Sequence, residues 1–529
     1  MASRMDLPDF LCAWLDSWGS KMLWQLRQAA QDLDIKLQWP KFCSIPSSGS
    51  LGSGSSAALR SGSPGSGGST ALKVGTDCSG LDAPVHALRA LEIPHRHVFS
   101  CENNLAARAM IETNCKPDVF FKDVLTSCED AAPFCHLYVA GFSCKPFSRL
   151  HNKSKLLEEK DASIFRAVVK RISTLRPPCF VLENVEGIQR VMGEILSQLK
   201  ACGYLVVHKL MDPASLGEPL LRPRFYFLGL RKDVACVSEA CAEQVVDQLW
   251  SAAQQASEKV SLLQRLLPND HPLVGTCQLQ RKERWTKAAS AGFPDPSCRT
   301  KWKAKHASYE LAPDKGHCLP ACTADRLFLH LPRQRDLWQK LSQKWVGQAN
   351  RLTCDVSQSL GRARERVDGR VPTVTPRSHL IVADVQRALV PHEMLLLHGF
   401  PLHRMVIPAS IKGADLQSMA GNTMHIPVVG AAMVMTLLLI DWQLPSAHRS
   451  GDASLGSTVV QTLPTSPVPK PKMGELEAKL RARFNLMPPV ASGGKARAFR
   501  KHKVAKVVKK NAGRKKLHKL WHLHGTRWA

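Results

Sequence analysis

Short apolar runs alternate with amphipathic stretches between Leu72 and Leu230. Seven runs have the length and apolar content of buried strands, and they lie at 72–77, 97–101, 118–121, 137–142, 179–184, 204–210 and 225–230. Between them, helical periodicity covers a stretch that ends at Leu91 and the segments 105–114, 164–175 and 188–199. This alternation predicts an α/β fold, with a doubly wound, mostly parallel sheet that is covered on both faces.

The rest of the chain divides by composition. Apolar residues at roughly helical spacing near the N-terminus predict one or two short helices that serve as a packing element, and they include Trp14, Trp18, Leu23, Trp24 and Leu26. The predicted organisation is a helical element at 1–43, a Ser/Gly linker at 44–70, an α/β domain at 71–235 that closes at 386–445, an irregular inserted domain at 236–385, and a linker with a disordered basic tail at 446–529.

No membrane partner is expected. The longest apolar stretch, 428–440, is too short to span a bilayer and predicts a buried helix. The N-terminal segment lacks the basic region, apolar run and small-residue cleavage site of a secretory signal. Seventeen cysteines in such a chain predict free thiols in a reducing compartment.

The charge of the chain points to a polyanionic partner. The formal net charge is +28, and 18 Lys and Arg against two Glu lie between Lys470 and the C-terminus. This tail also contains Trp521 and Trp528, and we expect it to contact nucleic-acid phosphates without sequence preference; a solvated tail is the alternative. Its basic clusters are typical of a nuclear import signal, so a nuclear location is expected, with the cytoplasm as the alternative.

Reactive and charged residues follow the predicted strands at one edge of the sheet. Cys144 lies in a loop after the strand at 137–142 and is a candidate nucleophile, although a lone Cys is more often a buried thiol. Glu183 ends the next strand, where its carboxyl group could exchange a proton with a heterocycle that sulfur attacks. Arg222 and Arg224 alternate before the last strand and could both face a phosphate or a base edge.

A turn that suits a nucleotide-like ligand follows the first strand, and it comprises Asp77, Cys78, Ser79 and Gly80. Glu102 ends the second strand, where an acidic residue typically binds a ribose diol. The other candidates are Asp123, a polar residue at the same edge, with Val124 after the third strand, and Asn422 with Thr423 in a polar turn before the buried helix.

Histidine and cysteine residues of the inserted region raise the question of zinc. His317, Cys318 and Cys322 follow Cys277 and Cys298. No pair has the short Cys-x-x-Cys spacing of a strong zinc motif. We therefore predict no metal site.

Taken in order, these segments resemble the conserved blocks of the cytosine-C5 DNA methyltransferase family. The matching blocks lie within 72–235 and 386–442. They are the Cys144 loop with Phe147 and Ser148, the Glu-Asn-Val block at 183–185, the Arg222 and Arg224 pair, Glu393 with the Gly-Phe-Pro block at 399–401, and the Gly-Asn-Thr block at 421–423. The departures are Cys78 in place of Phe, Asp82 in place of the second Gly, Ser143 in place of Pro, Lys145 in place of Gln, and Leu220 in place of Gln.

The resemblance implies a Rossmann-like fold of the class I methyltransferase type, with S-adenosylmethionine as cofactor and DNA as substrate. It implies that 236–385 is a target-recognition domain and that the α/β domain is catalytic. Cys144 would add to C6 of a flipped-out cytosine while Glu183 hydrogen-bonds its N3 and N4 edge. Arg222 and Arg224 would orient the base and the backbone. Glu102 would bind the ribose of the cofactor and Asp123 its adenine.

Two other functions stay open at this point. One branch of the family methylates transfer RNA, but it usually carries a Cys-Phe-Thr tripeptide that this chain lacks, and it keeps Pro where Ser143 stands. DNA is therefore favoured over RNA. The altered cofactor turn would also fit a fold that only binds nucleic acid, although the presence of Cys144, Glu183 and Arg224 favours an enzyme.

Overall fold

A computed structural model of the chain describes residues 5–33, 71–127, 131–142, 163–290, 302–307, 329, 331–345 and 347–442. The helices are α1 (Asp9–Asp32), α2 (Ala83–Ala90), α3 (Leu105–Asn114), α4 (Ser163–Leu175), α5 (Met192–Ala201), α6 (Ala242–Ala256), α7 (Pro272–Ser290), α8 (Trp302–Ala307), α9 (Pro332–Lys344), α10 (Pro391–Leu396), α11 (Gly413–Asn422) and α12 (Ile426–Leu438). The strands are β1 (Leu72–Asp77), β2 (His95–Cys101), β3 (Val119–Phe121), β4 (Leu137–Ala140), β5 (Cys179–Val185), β6 (Tyr204–Met211), β7 (Arg224–Arg231), β8 (Thr353–Asp355), β9 (Leu380–Val382) and β10 (Arg387–Ala388). The predicted basic tail lies outside the described residues.

Seven strands form one sheet in the order β3-β2-β1-β4-β5-β7-β6. The strands from β3 to β5 in this order are parallel, whereas β7 runs antiparallel to both β5 and β6. This confirms the predicted Rossmann-like, doubly wound, mostly parallel sheet. The strand order reverses between β1 and β4, and ligands bind at such a reversal, outside the carboxyl ends of the strands.

The large sheet is buried on both faces because its central strands are apolar along most of their length. On one face, α4 and α5 pack into the core with Phe165, Val168, Ile172, Ile195 and Leu199. On the other face, α12 packs against β5 and β7, and all 13 of its residues are buried. A helix without a polar stripe is stable only in such a place.

Among the described residues, one helical stretch, Gly413–Leu438, is long and apolar enough to cross a membrane. This stretch comprises α11 and α12. In the fold, 89% of its most apolar window is buried against protein. Its place in the core therefore accounts for its composition.

The N-terminal element is one helix of 24 residues rather than one or two short ones. It packs against α2, α6 and α12. Gly19 of α1 lies so close to α2 that an added Cβ would be 2.0 Å from the carbonyl oxygen of Ala90. The ring of Trp18 also lies close to Gly430 of α12, at 2.9 Å from the position of an added Cβ. This close packing makes α1 part of the core of the first domain.

A second, smaller sheet consists of β10, β9 and β8 and is antiparallel. Together with α9 it encloses a separate core that includes Leu337, Leu341, Cys354, Ile381 and Ala388. The structure differs from the predicted inserted domain at both ends, because α6 packs against α1, α12 and β6, and β10 lies beyond residue 385. The region is also more regular than expected, since α6 and α7 span 15 and 19 residues.

Candidate active site

The carboxyl ends of β1, β4 and β5 converge at one place. A Cβ built on Gly141, the residue after β4, would lie 3.6 Å from Oε2 of Glu183 and 3.8 Å from the backbone oxygen of Cys78. The same Cβ would lie 2.8 Å from Cε of Met424. Glycine therefore allows these segments to approach. Residues predicted from three separate blocks of sequence share this cleft.

Glu183 and Arg224 form an ion pair at this edge. Arg224 lies opposite Val185 in the antiparallel pairing of β5 and β7, so Glu183 is its diagonal neighbour on the same face. Nε of Arg224 lies 3.1 Å from Oε1 of Glu183, and the two side chains are 13% and 12% exposed. Nη1 of Arg224 also donates to the carbonyl of Pro223 at 2.8 Å. The guanidinium group therefore fixes the orientation of the Glu183 carboxylate.

Asn184 anchors the segment that leads to the predicted nucleophile. Its Nδ2 donates to the carbonyl of Phe142 at 3.0 Å, and its Oδ1 accepts from the amide of Val185 at 2.9 Å. The side chain is buried, so water does not compete for these bonds. Cys144 itself lies outside the described residues.

The turn after β1 has the backbone conformation that glycine usually provides. Cys78, Gly80 and Asp82 have φ values of 51°, 59° and 52°. For a residue with a Cβ, this left-handed region costs about 1–2 kcal/mol. The position where Asp82 replaces a glycine therefore keeps a glycine-like backbone, and other interactions must offset the cost.

Buried hydrogen bonds to Asp82 provide this compensation. Oδ1 accepts from the hydroxyl of Thr76 at 2.8 Å, and Oδ2 accepts from the hydroxyl of Ser100 at 3.0 Å. Ser79 of the predicted cofactor turn lies 2.8 Å from both hydroxyls. Burial raises the pKa of Asp82, although the nearby His97 acts to lower it. This network ties the turn to β1 and β2, which a glycine could not do.

Glu102 closes the turn from the side of β2. Its Oε2 accepts from the amide of Gly80 and its Oε1 from the amide of Asn104, both at 2.8 Å. Burial raises the pKa of Glu102, and these two hydrogen bonds lower it in part. Each carboxylate oxygen has two lone pairs, so Glu102 can still accept from a ligand hydroxyl.

The third strand brings two more predicted residues to the same edge of the sheet. Oδ1 of Asp123 accepts from the amide of Leu125 at 2.9 Å, and its side chain remains partly exposed. Val124 is 6% exposed. Asp123 is thus available to a ligand, whereas Val124 contributes mainly to the wall beneath it.

Asp77 does not face the cleft. Its side chain is fully buried, and Oδ2 accepts from the hydroxyl of Tyr138 at 2.7 Å and from Nε of Arg171 at 2.9 Å. The Arg171 guanidinium lies over the rings of Phe99 and Phe121, at 5.4 and 5.3 Å from their centroids. Asp77 therefore fastens α4 to the end of β1, in place of the predicted contact with a cofactor.

Arg222 also differs from its predicted role. It is 4% exposed, and its guanidinium donates to the carbonyls of Val374 at 3.2 Å, Gly421 at 3.2 Å and Thr423 at 2.6 Å. These carbonyls belong to two segments, one at Val374 and one at 421–423, that lie far from Arg222 in sequence. Arg222 therefore joins segments of the fold, and Arg224 is the member of the pair that contacts Glu183 at the cleft.

The closing turn at 421–423 lies beside the cofactor turn. A Cβ on Gly80 would lie 3.9 Å from the backbone oxygen of Asn422 and 4.0 Å from Cα of Thr423. Asn422 is exposed and Thr423 is buried. Gly421 has no room for a side chain, because an added Cβ would lie 2.1 Å from the nitrogen of Pro376.

Arg171 is the residue of this site that the sequence analysis missed. It lies on the inner face of α4 with Phe165, Val168 and Ile172, all of them buried. A charged residue in an apolar stripe is seldom buried without a charged partner. That irregularity was a signal for an internal ion pair, but the sequence offered no means of naming Asp77 as the partner.

Among the described residues, no group of three or more His, Cys, Asp or Glu side chains is placed to hold a metal ion. Cys277 is buried in α7. His317, Cys318, Cys322 and Cys298 lie outside the described residues.

Comparison with known proteins identifies relatives of the chain. The sequence model of the family described as C-5 cytosine-specific DNA methylase matches residues 78–434. The DNA (cytosine-5-)-methyltransferase DMT5 of Verticillium dahliae is 25% identical over 465 residues, which cover 68% of this chain and 19% of that protein. The type II methyltransferase M.NlaIV of Neisseria lactamica is 24% identical over 400 residues, which cover 65% of this chain and 93% of that enzyme.

The chain thus spans about a fifth of the length of the Verticillium dahliae protein. Among solved structures, the S. pombe Dnmt2 methyltransferase is similar at 17% sequence identity with a TM-score of 0.43. That similarity covers 69% of this chain and 98% of the other.

Proposed function

The chain belongs to the C-5 cytosine-specific DNA methylase family, and on that premise we propose that it transfers a methyl group from S-adenosylmethionine to C5 of cytosine in DNA. The observation that carries this proposal is the cleft at the carboxyl ends of β1, β4 and β5. There the Glu183–Arg224 pair lies beside Gly141, three residues before Cys144.

Cys144 is the nucleophile of the proposed reaction. Asn184 holds the carbonyl of Phe142, and the two residues from there to Cys144 span at most about 7 Å. The thiol is therefore tethered within reach of the cleft. Its sulfur would form a bond to C6 of cytosine, and the electron pair displaced from the C5–C6 double bond would make C5 nucleophilic.

Glu183 acts on the other side of the base. In its protonated form, the carboxyl group would donate its proton to N3 as sulfur adds, and its other oxygen would accept from the N4 amino group. Arg224 keeps the carboxylate in the orientation for this contact. After C5 has been methylated, N3 would return its proton to Glu183. Transfer of the C5 proton to solvent water would then restore the C5–C6 double bond and expel the Cys144 sulfur as a thiolate.

S-adenosylmethionine fits the turn between β1 and α2. Gly80 leaves open space toward Asn422 and Thr423, and Glu102 retains acceptor capacity for ribose hydroxyl groups. Asp123, which is partly exposed, would contact the adenine. When bound, S-adenosylmethionine supplies the electrophilic methyl group. The chain's own residues then bind the cofactor, orient the base and move the protons.

DNA is the substrate that we propose, because the relative from Verticillium dahliae is a DNA methyltransferase by name and the chain is strongly basic. A stacked base cannot enter a cleft of this kind, so the cytosine would be flipped out of the duplex. The basic tail would add contacts to phosphates that are independent of sequence, and we propose that it also directs the protein to the nucleus.

The test is methyl transfer by the purified full chain. S-adenosylmethionine with a labelled methyl group is incubated with mixed-sequence duplex DNA or with RNA, and the nucleosides are then separated. We expect labelled 5-methylcytosine from DNA and almost none from a Glu183→Gln variant that has the same thermal midpoint. Label in RNA alone would contradict the choice of substrate. Binding of S-adenosylmethionine without methyl transfer to either DNA or RNA would contradict the proposal that the chain is a methyltransferase.

A further inference from the structure

A cavity of about 330 Å³ separates the active-site edge of the large sheet from the smaller sheet. One wall consists of Val185, Glu186, Gly187, Pro223 and Arg224. The facing wall belongs to the loop between β8 and β9 and includes Arg362 and Arg364. Because Arg224 also pairs with Glu183, the cavity reaches the place where the target base is proposed to bind.

The acidic side chains of this loop, and the one at the end of β8 that precedes it, already have ion-pair or hydrogen-bond partners. Asp368 pairs with both Arg366 and Arg370, and Glu365 pairs with Lys344. Asp355, which lines the cavity, accepts from the hydroxyl of Ser378 at 2.7 Å and from the amides of Ser357 and His379.

Arg362 and Arg364 differ from their neighbours in the loop. Both are exposed, and neither guanidinium has a partner in the part of the chain that the structure describes. Glu186 lies on the opposite wall of the cavity. Two uncommitted guanidinium groups at the mouth of a cleft favour an anionic ligand.

Arg364 is also held in an uncommon backbone conformation. Its φ is 47°, in the left-handed region that residues with a Cβ seldom adopt. The loop is fixed on both sides, since Arg366 exchanges two backbone hydrogen bonds of 2.8 Å with Thr353, and the amide of Val371 donates to Pro219 at 2.8 Å. Such strain persists where the surrounding structure imposes it and often marks a functional position.

We propose that Arg362 and Arg364 bind the phosphodiester backbone of the target strand next to the flipped cytosine, an inference that rests on the proposed function. Flipping a nucleotide changes the backbone around it, and the phosphates on either side need fixed cationic partners. The two arginines offer planar, bidentate donors across the cavity from Arg224.

The test is equilibrium binding of the full chain to fluorescein-labelled duplexes of several sequences, measured by anisotropy at a series of salt concentrations. Arg362→Gln and Arg364→Gln each weaken binding by about tenfold or more, since each removes a charge-assisted hydrogen bond. Each also lowers the slope of log affinity against log salt concentration by about 0.9, and the double variant by about twice that. The loss is the same for every sequence.

Arg366→Gln is the matched control. It removes the same charge from the same loop, but its guanidinium is already paired with Asp368. It should bind DNA with nearly the wild-type affinity and salt dependence. A double variant with the wild-type salt slope would overturn the proposal, and so would a loss confined to one duplex sequence, which would indicate contact with bases.

The binding assay does not depend on methyl transfer. A wild-type chain that binds DNA through these arginines but methylates nothing would contradict the proposed function and leave the phosphate contact standing. If the wild-type chain methylates DNA and the double variant binds DNA normally, the phosphate contact is contradicted and the proposed function stands. Equal thermal midpoints for the wild type and all four variants establish that a change in folding does not cause the loss of binding.

Discussion

At the scale of single residues, position at the end of a strand does not by itself make a side chain functional. Asp77 ends β1, yet it is buried with Arg171, whereas Glu183 in β5 opens into the cleft beside Arg224. Side chains alternate across a strand, so a shift of one position moves a carboxylate from the cleft to the core. Asn184 shows the same effect, because it turns inward to Phe142 while its neighbour Glu183 faces outward.

Replacement of Asn184 tests this positioning role. In Asn184→Ala the carbonyl of Phe142 loses its buried donor, and the segment toward Cys144 loses its anchor. We expect kcat for methyl transfer to fall by about tenfold or more, as for loss of about 1–3 kcal/mol of buried hydrogen bonding. The KM for S-adenosylmethionine should stay near the wild-type value. A rise in that KM with an unchanged kcat would contradict a role in placing the nucleophile.

The pH dependence of stability is set in part by buried histidines such as His86. Its Nε2 lies 3.2 Å from Sγ of Cys115, and burial lowers the pKa of His86 to about 3. In the unfolded chain the ring is protonated below about pH 6.5, while in the folded chain it stays neutral. The unfolded state therefore binds more protons between these values, and the free energy of unfolding decreases as the pH falls from about 6.5 toward 3.

Urea denaturation at several pH values measures this effect. Each such histidine contributes a slope of about 1.4 kcal/mol per pH unit. Burial also lowers the pKa of His392 to about 4 and that of His425 to about 3, so wild-type protein should lose stability steeply on acidification. His86→Gln should lose one such increment of slope between pH 4 and 6. An unchanged slope in this variant would show that His86 is protonated in the folded protein.

At the scale of elements, some helices pack directly on the sheet, and others pack against those helices from outside. α12 lies directly on β5 and β7, and α1 packs over α12 and α2 from outside. The glycines at these crossings, Gly19 and Gly430, let the helices approach more closely than alanine would. The helix α1 is thus joined to the helix that follows the closing turn of the proposed cofactor site.

Two tryptophans of α1 provide a matched comparison of this packing. Trp18 is 8% exposed and lies against Gly430, whereas Trp24 is 63% exposed. We expect Trp18→Ala to reduce the free energy of unfolding by about 3–5 kcal/mol because it leaves a cavity in the core. Trp24→Ala should change it by less than about 0.5 kcal/mol. Equal effects in thermal denaturation would mean that α1 does not dock as described.

At the scale of the whole molecule, the periodicity of the sequence predicts the strands of the large sheet. It does not predict the contacts between segments that are distant in sequence. The strands from β1 to β7 each combine an apolar run with a following turn, and these local signals specify them. The role of Arg222 was beyond such reasoning, because its three carbonyl partners at 374, 421 and 423 depend on how distant segments meet. The departure at Asp82 could not be explained from the sequence either, because its buried hydrogen bonds to Thr76 and Ser100 depend on how the turn packs against β1 and β2.

The candidate site was predicted in part for the same reason. Glu183 and Arg224 meet because neighbouring strands fix their separation, which the order of elements already implies. The arginines of the cavity, Arg362 and Arg364, lie in a loop without periodicity, and only the packing of the two sheets brings them opposite Arg224. Motifs identify the chemistry of the chain, whereas the contacts between domains determine where its substrate can lie.

Covalent trapping tests the central claim most directly. Duplex DNA that contains 5-fluorocytosine is incubated with the full chain and S-adenosylmethionine, and the mixture is denatured and separated by size. Fluorine at C5 prevents the final loss of a proton, so the bond between sulfur and C6 should persist. We predict an adduct that survives denaturation for the wild-type chain and no adduct for Cys144→Ser. An adduct that persists in Cys144→Ser, or its absence from folded wild-type protein on all duplexes, would contradict the account.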